Sequence, residues 1–161
     1  MKKSWIIIAV AVLVLIPIGI WWSSPEQVVI RRTKHLMDVL TITSGTSSPF
    51  RQAKVFSMNA LLQPNVEIVT PEISDSNGTF DKQEIESAFS WICKQAKESE
   101  FLVTDVQDLE IDGDRAVINV LVKGFLQLPS YRPADGTHDV EITWEKTGDG
   151  WRYSRVVWKT S

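Results

Sequence analysis

Residues 139–156 read DVEITWEKTGDGWRYSRV, and this stretch decides the fold of the chain. Its first half alternates between apolar Val140, Ile142 and Trp144 and polar residues. Successive side chains of a strand point to opposite faces, so the alternation predicts a strand with one buried face. The Gly-Asp-Gly sequence at 148–150 can adopt the positive φ angles that a tight turn often needs. The stretch therefore predicts a C-terminal hairpin whose second strand covers residues 151–159.

The two tryptophans of this hairpin lie at nearly equal distances from its turn. The pattern predicts that Trp144 and Trp151 face each other across the strands, where an aromatic pair stabilises a sheet. We expect Trp151 to be a core residue rather than a binding residue on a rim.

Two more strands are predicted upstream, over residues 101–111 and 115–126. They are joined by Asp112-Gly113-Asp114, which is typical of a hairpin turn. Residues 129–136 form a loop by composition. The second of these strands places one set of apolar residues on a single face: Ala116, Ile118, Val120 and Val122.

Helical periodicity dominates before residue 100. Ser24 and Pro25 begin a first helix that runs to about Thr41. A second helix ends before Pro64 and is followed by a short strand at 66–69. The apolar positions that mark this second helix are Ala53, Phe56, Ala60 and Leu61.

A third helix begins at a capping box formed by Asp81 and Glu84 and ends near Glu98. Its apolar face comprises Ile85, Ala88, Phe89, Ile92 and Ala96. Helices grouped first and antiparallel strands last predict an α+β domain.

The N-terminal segment carries no charge from Trp5 to Trp22. A helix of this length spans about 27 Å, close to the hydrocarbon thickness of a bilayer. Trp5, Trp21 and Trp22 mark its ends, where indole rings prefer the headgroup level. We expect residues 1–24 to be a transmembrane anchor and residues 25–161 to be one soluble domain. The alternative is a cleaved signal peptide, which the bulky residues after the apolar run disfavour.

The charges that flank this segment predict its orientation. Lys2 and Lys3 favour a cytoplasmic N-terminus, although Arg31, Arg32 and Lys34 on the other side weaken the asymmetry. We therefore expect a single-pass protein of the cell membrane with its domain in the periplasm or outside the cell.

The order of the predicted elements, together with the 141–156 hairpin, resembles the nuclear transport factor 2-like superfamily, which includes SnoaL-like cyclases and ketosteroid isomerase. The resemblance covers residues 26–160. It implies three helices packed in a strongly curved, mainly antiparallel sheet that forms a cone-like α+β barrel with a pocket. It implies no single activity, because such folds host isomerases, dehydratases, cyclases, ligand binders and assembly modules.

Composition excludes several classes of function. Seventeen basic and twenty acidic residues give a net charge of −3, which does not favour a nucleic-acid partner. One cysteine excludes a cysteine-based metal site, two histidines argue against a histidine-rich one, and no cofactor-binding motif is present. We interpret Cys93 as a small core residue and His138 as exposed.

Enzymes of the resembled superfamily use an acid/base pair inside the cone. On this basis His35 and Asp38, one turn apart on the first helix, are candidate catalytic residues. Asp105 and Asp108 are further candidates because they interrupt the apolar pattern of their strand. We favour a solvated surface or edge position over a catalytic role for all four residues.

Three aromatic residues are candidates for a pocket lining: Trp91, Trp144 and Tyr153. The alternative for each is a place in the core. We predict an anchored binding or scaffold domain for a partner protein or a small apolar ligand, with a homodimer as a further expectation. The alternative is a small-molecule isomerase, dehydratase or cyclase.

The anchor is testable by cell fractionation. The full-length chain should stay in membranes through carbonate and high-salt washes, because the Trp5–Trp22 segment is long enough to span the bilayer. A mature N-terminus at Ser23 or Ser24, found by mass spectrometry, would show cleavage instead.

Overall fold

The computed structural model describes residues 17–70 and 77–159. Its elements, in chain order, are α1 (Pro25–Leu40), α2 (Ser48–Leu61), β1 (Leu62–Val69), β2 (Gly78–Asp81), α3 (Lys82–Gln95), β3 (Glu98–Asp112), β4 (Arg115–Gln127), β5 (Ala134–Thr147) and β6 (Gly150–Lys159). The predicted α+β class is confirmed.

One curled six-stranded sheet carries the fold, in the order β2-β1-β6-β5-β4-β3. All neighbouring strands are antiparallel except β1 and β6, which are parallel. The sequence prediction missed β2, which has only four residues and pairs with β1. A strand this short shows no periodicity, because its stability depends on its partner strand.

The core lies between the helices and the inner face of the sheet. The four predicted apolar residues of β4 are fully buried, as are Ile142 and Trp144 of β5. From α1, Val29, Leu36 and Val39 reach the same core at helical spacing. The predicted burial of one strand face is therefore confirmed.

Side chains cap the start of α1 and both ends of α3. Ser24 Oγ accepts the Gln27 N–H at the start of α1. Asp81 and Glu84 form the predicted capping box of α3, with both bonds 2.8 Å long. At the other end of α3, Arg51 Nη1 donates to the carbonyls of Cys93 and Ala96. This contact fixes α2 against α3.

The expected apolar face of α2 is wrong in part. Leu61 is buried, but Phe56 is 68% exposed and Ala53 and Ala60 are exposed as well. The helix begins at Ser48 and buries Val55 and Met58 instead. Apolar residues occur on more than one face of this helix. Helical periodicity alone therefore did not identify the face that is buried.

The predicted pairing of the two hairpin tryptophans is wrong. Trp144 lies opposite Tyr153, and Trp151 lies opposite Lys146. Thr147 pairs with Gly150 and closes a tight turn. Farther from the turn, the register of β5 against β6 shifts between Thr143 and Trp144. Trp151 is nonetheless 5% exposed, so the prediction that it is a core residue is confirmed.

The predicted anchor lies largely in residues 1–16, outside the described residues. Residues 17–22 are helical, and Ile18, Ile20, Trp21 and Trp22 are each more than half exposed. Within 17–70 and 77–159, no helix combines the length and apolar character needed to cross a membrane.

Replacing the buried Trp151 by alanine should lower the free energy of unfolding by about 3–5 kcal/mol, the usual cost of removing a large core side chain. The matched control is Trp91→Ala, because Trp91 is 53% exposed. It should change stability by less than about 1 kcal/mol. Urea unfolding followed by circular dichroism measures both, and equal midpoints would contradict the core position of Trp151.

Candidate functional site

An apolar pocket of about 510 Å³ lies between the helices and the sheet, and we call it the inner pocket. Apolar side chains from α1, α2, α3, β1, β2, β3 and β6 form most of its wall: Leu36, Met37, Leu40, Met58, Ile68, Phe80, Ile85, Ala88, Phe89, Ile92, Phe101, Val156 and Trp158. A cavity of this size and polarity is typical of small-ligand sites.

Two titratable residues complete the described wall of the inner pocket, Glu84 and Tyr153. The Glu84 carboxylate accepts the Asp81 backbone N–H in the capping box and is exposed to solvent. The Tyr153 hydroxyl donates to Met58 Sδ at 3.2 Å. Neither residue is paired with a second titratable group of the described wall, so the geometry offers no acid/base pair there.

Tyr153 is held neutral by its surroundings. The residue is 5% exposed, and burial raises the pKa of its hydroxyl well above the ordinary value. The hydroxyl therefore acts as a hydrogen-bond donor at neutral pH, and not as a base.

Trp158 joins the inner pocket to an aromatic cluster. Its ring contacts Phe101 edge-on at 6.3 Å between centroids and His138 at 5.8 Å. His138 was expected to be exposed, but it is half-buried because its ring packs on Trp158. It is outside the described lining of the pocket.

The three residues predicted to line a pocket lie in three different environments. Tyr153 lies in the pocket wall. Trp144 is fully buried in the core, where its indole N–H donates to Thr33 Oγ1 at 3.1 Å. Trp91 lies on the solvent side of α3, because Phe89 and Ile92 are on the side of that helix that turns inward.

His35 and Asp38 are exposed and line a separate shallow groove between α1 and α2. Lys54 Nζ donates to the backbone carbonyl of Asp38 at 2.8 Å. The structure therefore brings these two candidates to one surface but not to the inner pocket.

Asp105 and Asp108 are exposed on β3, an edge strand of the sheet. The register of β3 against β4 shifts between Val103 and Asp105 and again between Val106 and Asp108. Bulges at an edge explain why these carboxylates interrupt the apolar pattern, since bulges re-aim side chains and protect edges from pairing. Neither residue lines the inner pocket.

Cys93 is buried on α3, as the sequence predicted. Burial raises the pKa of its thiol, and the charges of Arg51 and Lys54 oppose that shift. Among the described residues, no group of three or more His, Cys, Asp or Glu side chains is arranged to hold a metal ion.

The comparison with solved structures decides the fold. A nuclear transport factor 2-like protein from Cytophaga hutchinsonii superposes with a TM-score of 0.66 at 16% identity, covering 86% of this chain and 99% of that one. This chain has the nuclear transport factor 2-like fold. No family model matches the sequence, and neither does any curated protein.

Two other similar structures have more specific descriptions. A candidate scytalone dehydratase from Novosphingobium aromaticivorans has a TM-score of 0.66 at 12% identity, covering 84% of this chain and 83% of that one. The CaMKII hub of S. rosetta has a TM-score of 0.64 at 13% identity, covering 86% and 98%. At such identities the similarity establishes the fold and no activity.

Sequence reasoning missed most of the pocket wall. Ile85, Ala88 and Ile92 were predicted as the apolar face of a helix, and they do face inward. Their pattern does not distinguish a side chain that packs in a core from one that lines a cavity. The sequence holds no further signal that separates the two.

Tyr153 should resist ionisation in the folded protein. In a Tyr131→Phe variant it is the one remaining tyrosine. Tyrosinate absorbance should then be absent from the folded protein at about pH 11 and appear after unfolding in urea. Because the pKa is raised in the folded state, its contribution to stability is complete below about pH 10 and falls as the pH rises further. Ionisation of the folded variant near the ordinary value would contradict the burial of this hydroxyl.

Proposed function

We propose that this domain binds an uncharged, apolar small molecule in the inner pocket and does not transform it. The observation that carries the proposal is the composition of the described wall, where thirteen of fifteen residues are apolar. Burial of apolar ligand surface against such a wall contributes roughly 25 cal/mol per Å². The two remaining residues already have hydrogen-bond partners. Glu84 accepts from the backbone N–H of Asp81, and Tyr153 donates to the sulfur of Met58.

We further propose that residues 1–24 hold the domain at the outer side of the cell membrane, so that the site is close to a source of apolar molecules. The charge-free segment from Trp5 to Trp22 supports this, as do the exposed Trp21 and Trp22. The guanidinium of Arg31 lies 4.5 Å from the centre of the Trp22 ring, a cation–π contact that connects α1 with the preceding helical residues.

A dehydratase is the second candidate, because the fold is similar to that of a candidate scytalone dehydratase. Dehydration needs an acid and a base that reach the substrate. Of the described pocket wall, Tyr153 alone offers a titratable group that is buried. Turnover of an apolar hydroxy compound by the purified chain would favour this candidate over binding.

A homodimer remains a prediction. Similarity to the S. rosetta CaMKII hub supports it only at the level of the fold. Analytical ultracentrifugation of the chain in detergent would decide it.

Filling the inner pocket tests the binding function. Val156→Phe should weaken binding of a neutral, environment-sensitive dye by at least about tenfold, equivalent to 1.4 kcal/mol, because the larger side chain occupies ligand space. Val156 lies in the pocket wall, and Val157 next to it points to the opposite face of the sheet.

Val157→Phe is therefore the matched control, and it should leave the dye affinity within about twofold. Fluorescence titration of both variants under identical conditions gives the comparison. Equal affinity of the Val156→Phe variant and the wild type would rule out the inner pocket as the binding site.

A further inference from the structure

Three basic residues lie on α1 shortly after a pair of exposed tryptophans. The basic residues are Arg31, Arg32 and Lys34, and Trp21 and Trp22 are 57% and 56% exposed. The chain as a whole is acidic, with a net charge of −3, so this concentration of positive charge is local. Exposed indole rings next to basic side chains are typical of the boundary between a membrane and water.

The guanidinium of Arg31 lies at the centre of this surface. Its Cζ atom is 4.5 Å from the centre of the Trp22 ring, so the indole keeps water away from one side of the cation. Nη1 of the same group is buried and has no hydrogen-bond partner among the described residues. The residue as a whole is only half-buried, so an anion can approach it from solvent. A cation that has lost part of its hydration is attracted to such an anion more strongly than a fully hydrated one.

No carboxylate in the described part of the chain forms an ion pair with these three cations. The ion pairs found there use basic residues of β6. On α1 itself the acidic residues lie towards the two ends, at Glu26 and Asp38.

Arg32 approaches the turn between β5 and β6. Its Nη2 atom lies 3.0 Å from the position that a Cβ atom on Gly150 would occupy. The carboxylate of that turn, Asp149, pairs with Arg152 at 3.3 Å instead. The counter-charge of this surface therefore has to come from outside the described residues.

The depth at which an anion would be met follows from the sequence. The charge-free segment ends at Trp22, and Trp22 is the residue that Arg31 contacts. Indole rings at the end of a membrane segment lie at the headgroup level, where phospholipids carry their phosphates. A guanidinium at that level can bind two phosphate oxygens through parallel N–H groups.

We propose that Arg31, supported by the ring of Trp22 and the charges of Arg32 and Lys34, binds the phosphate of an anionic phospholipid headgroup of the phosphatidylglycerol type. A zwitterionic lipid carries an ammonium group beside its phosphate, and the three cations repel that group. The inference rests on the proposed membrane anchor and adds a lipid-selective site to it.

NMR titration of the full-length chain in a neutral detergent micelle tests the site. The probes are dihexanoyl phosphatidylglycerol, dihexanoyl phosphatidylcholine and inorganic phosphate. The indole N–H signal of Trp22 and the Nε–H signal of Arg31 should shift and saturate with phosphatidylglycerol. The other two probes should bind at least about fivefold more weakly, which is the contribution of one basic residue near an anionic surface.

Arg31→Gln removes the central charge and should weaken binding of phosphatidylglycerol about fivefold, read from the Trp22 signal. The matched control is Lys94→Gln, because Lys94 is exposed in the last turn of α3 and its loss changes the net charge equally. This control should leave the affinity within about twofold.

Trp22→Leu keeps the segment apolar and removes the ring. It should weaken binding about twofold to fivefold, read from the Arg31 signal, because the cation–π contact is lost. Circular dichroism would recognise an unfolded Arg31→Gln variant, and Trp22→Leu then provides the test.

Equal losses of affinity in Arg31→Gln and Lys94→Gln would overturn the inference, as would equal affinity of the wild type for phosphatidylglycerol and either other probe. Carbonate washing of membranes separates this result from failure of the anchor. A chain that stays in the washed membranes without preferring phosphatidylglycerol keeps its anchor and lacks the site. If the wash releases the wild type, the proposed anchor fails and the headgroup site fails with it.

Discussion

The indole N–H of Trp144 has to find an acceptor inside the domain, because this side chain is fully buried. A buried donor without a partner costs about 1–3 kcal/mol. Thr33 of α1 supplies the acceptor, and Thr33 is itself 1% exposed. This bond joins α1 to the inner face of β5, across 111 residues of sequence. The bond fixes the position of α1 over the sheet, and the buried side chains of Val29, Leu36 and Val39 hold the helix there.

The position of α1 determines which part of the interior is filled and which part stays open. Trp144 packs edge-on against Tyr153, and Val29 and Val39 complete the buried layer. Leu36, Met37 and Leu40 extend from the same helix to the inner pocket. Tyr153 lies at the boundary, since it contacts the core through its ring and Met58 through its hydroxyl. The pocket is therefore a continuation of the core whose wall has the same composition.

This continuity explains what the sequence could and could not predict. The buried residues of β4 and the capping box of Asp81 follow from patterns a few residues long, and both were predicted. The opposition of Trp144 and Tyr153 was not, because the register shift beside Thr143 leaves no mark in the sequence. Asp105 and Asp108 were considered as catalytic residues because edge bulges also interrupt an apolar pattern. The pocket wall could not be recognised, since an apolar side chain has the same sequence signature beside a cavity as beside another side chain.

The central claim is that the inner pocket receives an apolar ligand. Methyl NMR of the isotope-labelled chain, titrated with ethylnaphthalene, tests it most directly. The account predicts that methyl signals of Leu36, Ile92 and Val156 shift together and saturate, while those of Val157 and Val117 on the other face of the sheet stay constant. Shifts confined to the outer face, or the absence of saturable shifts at Val156, would contradict it.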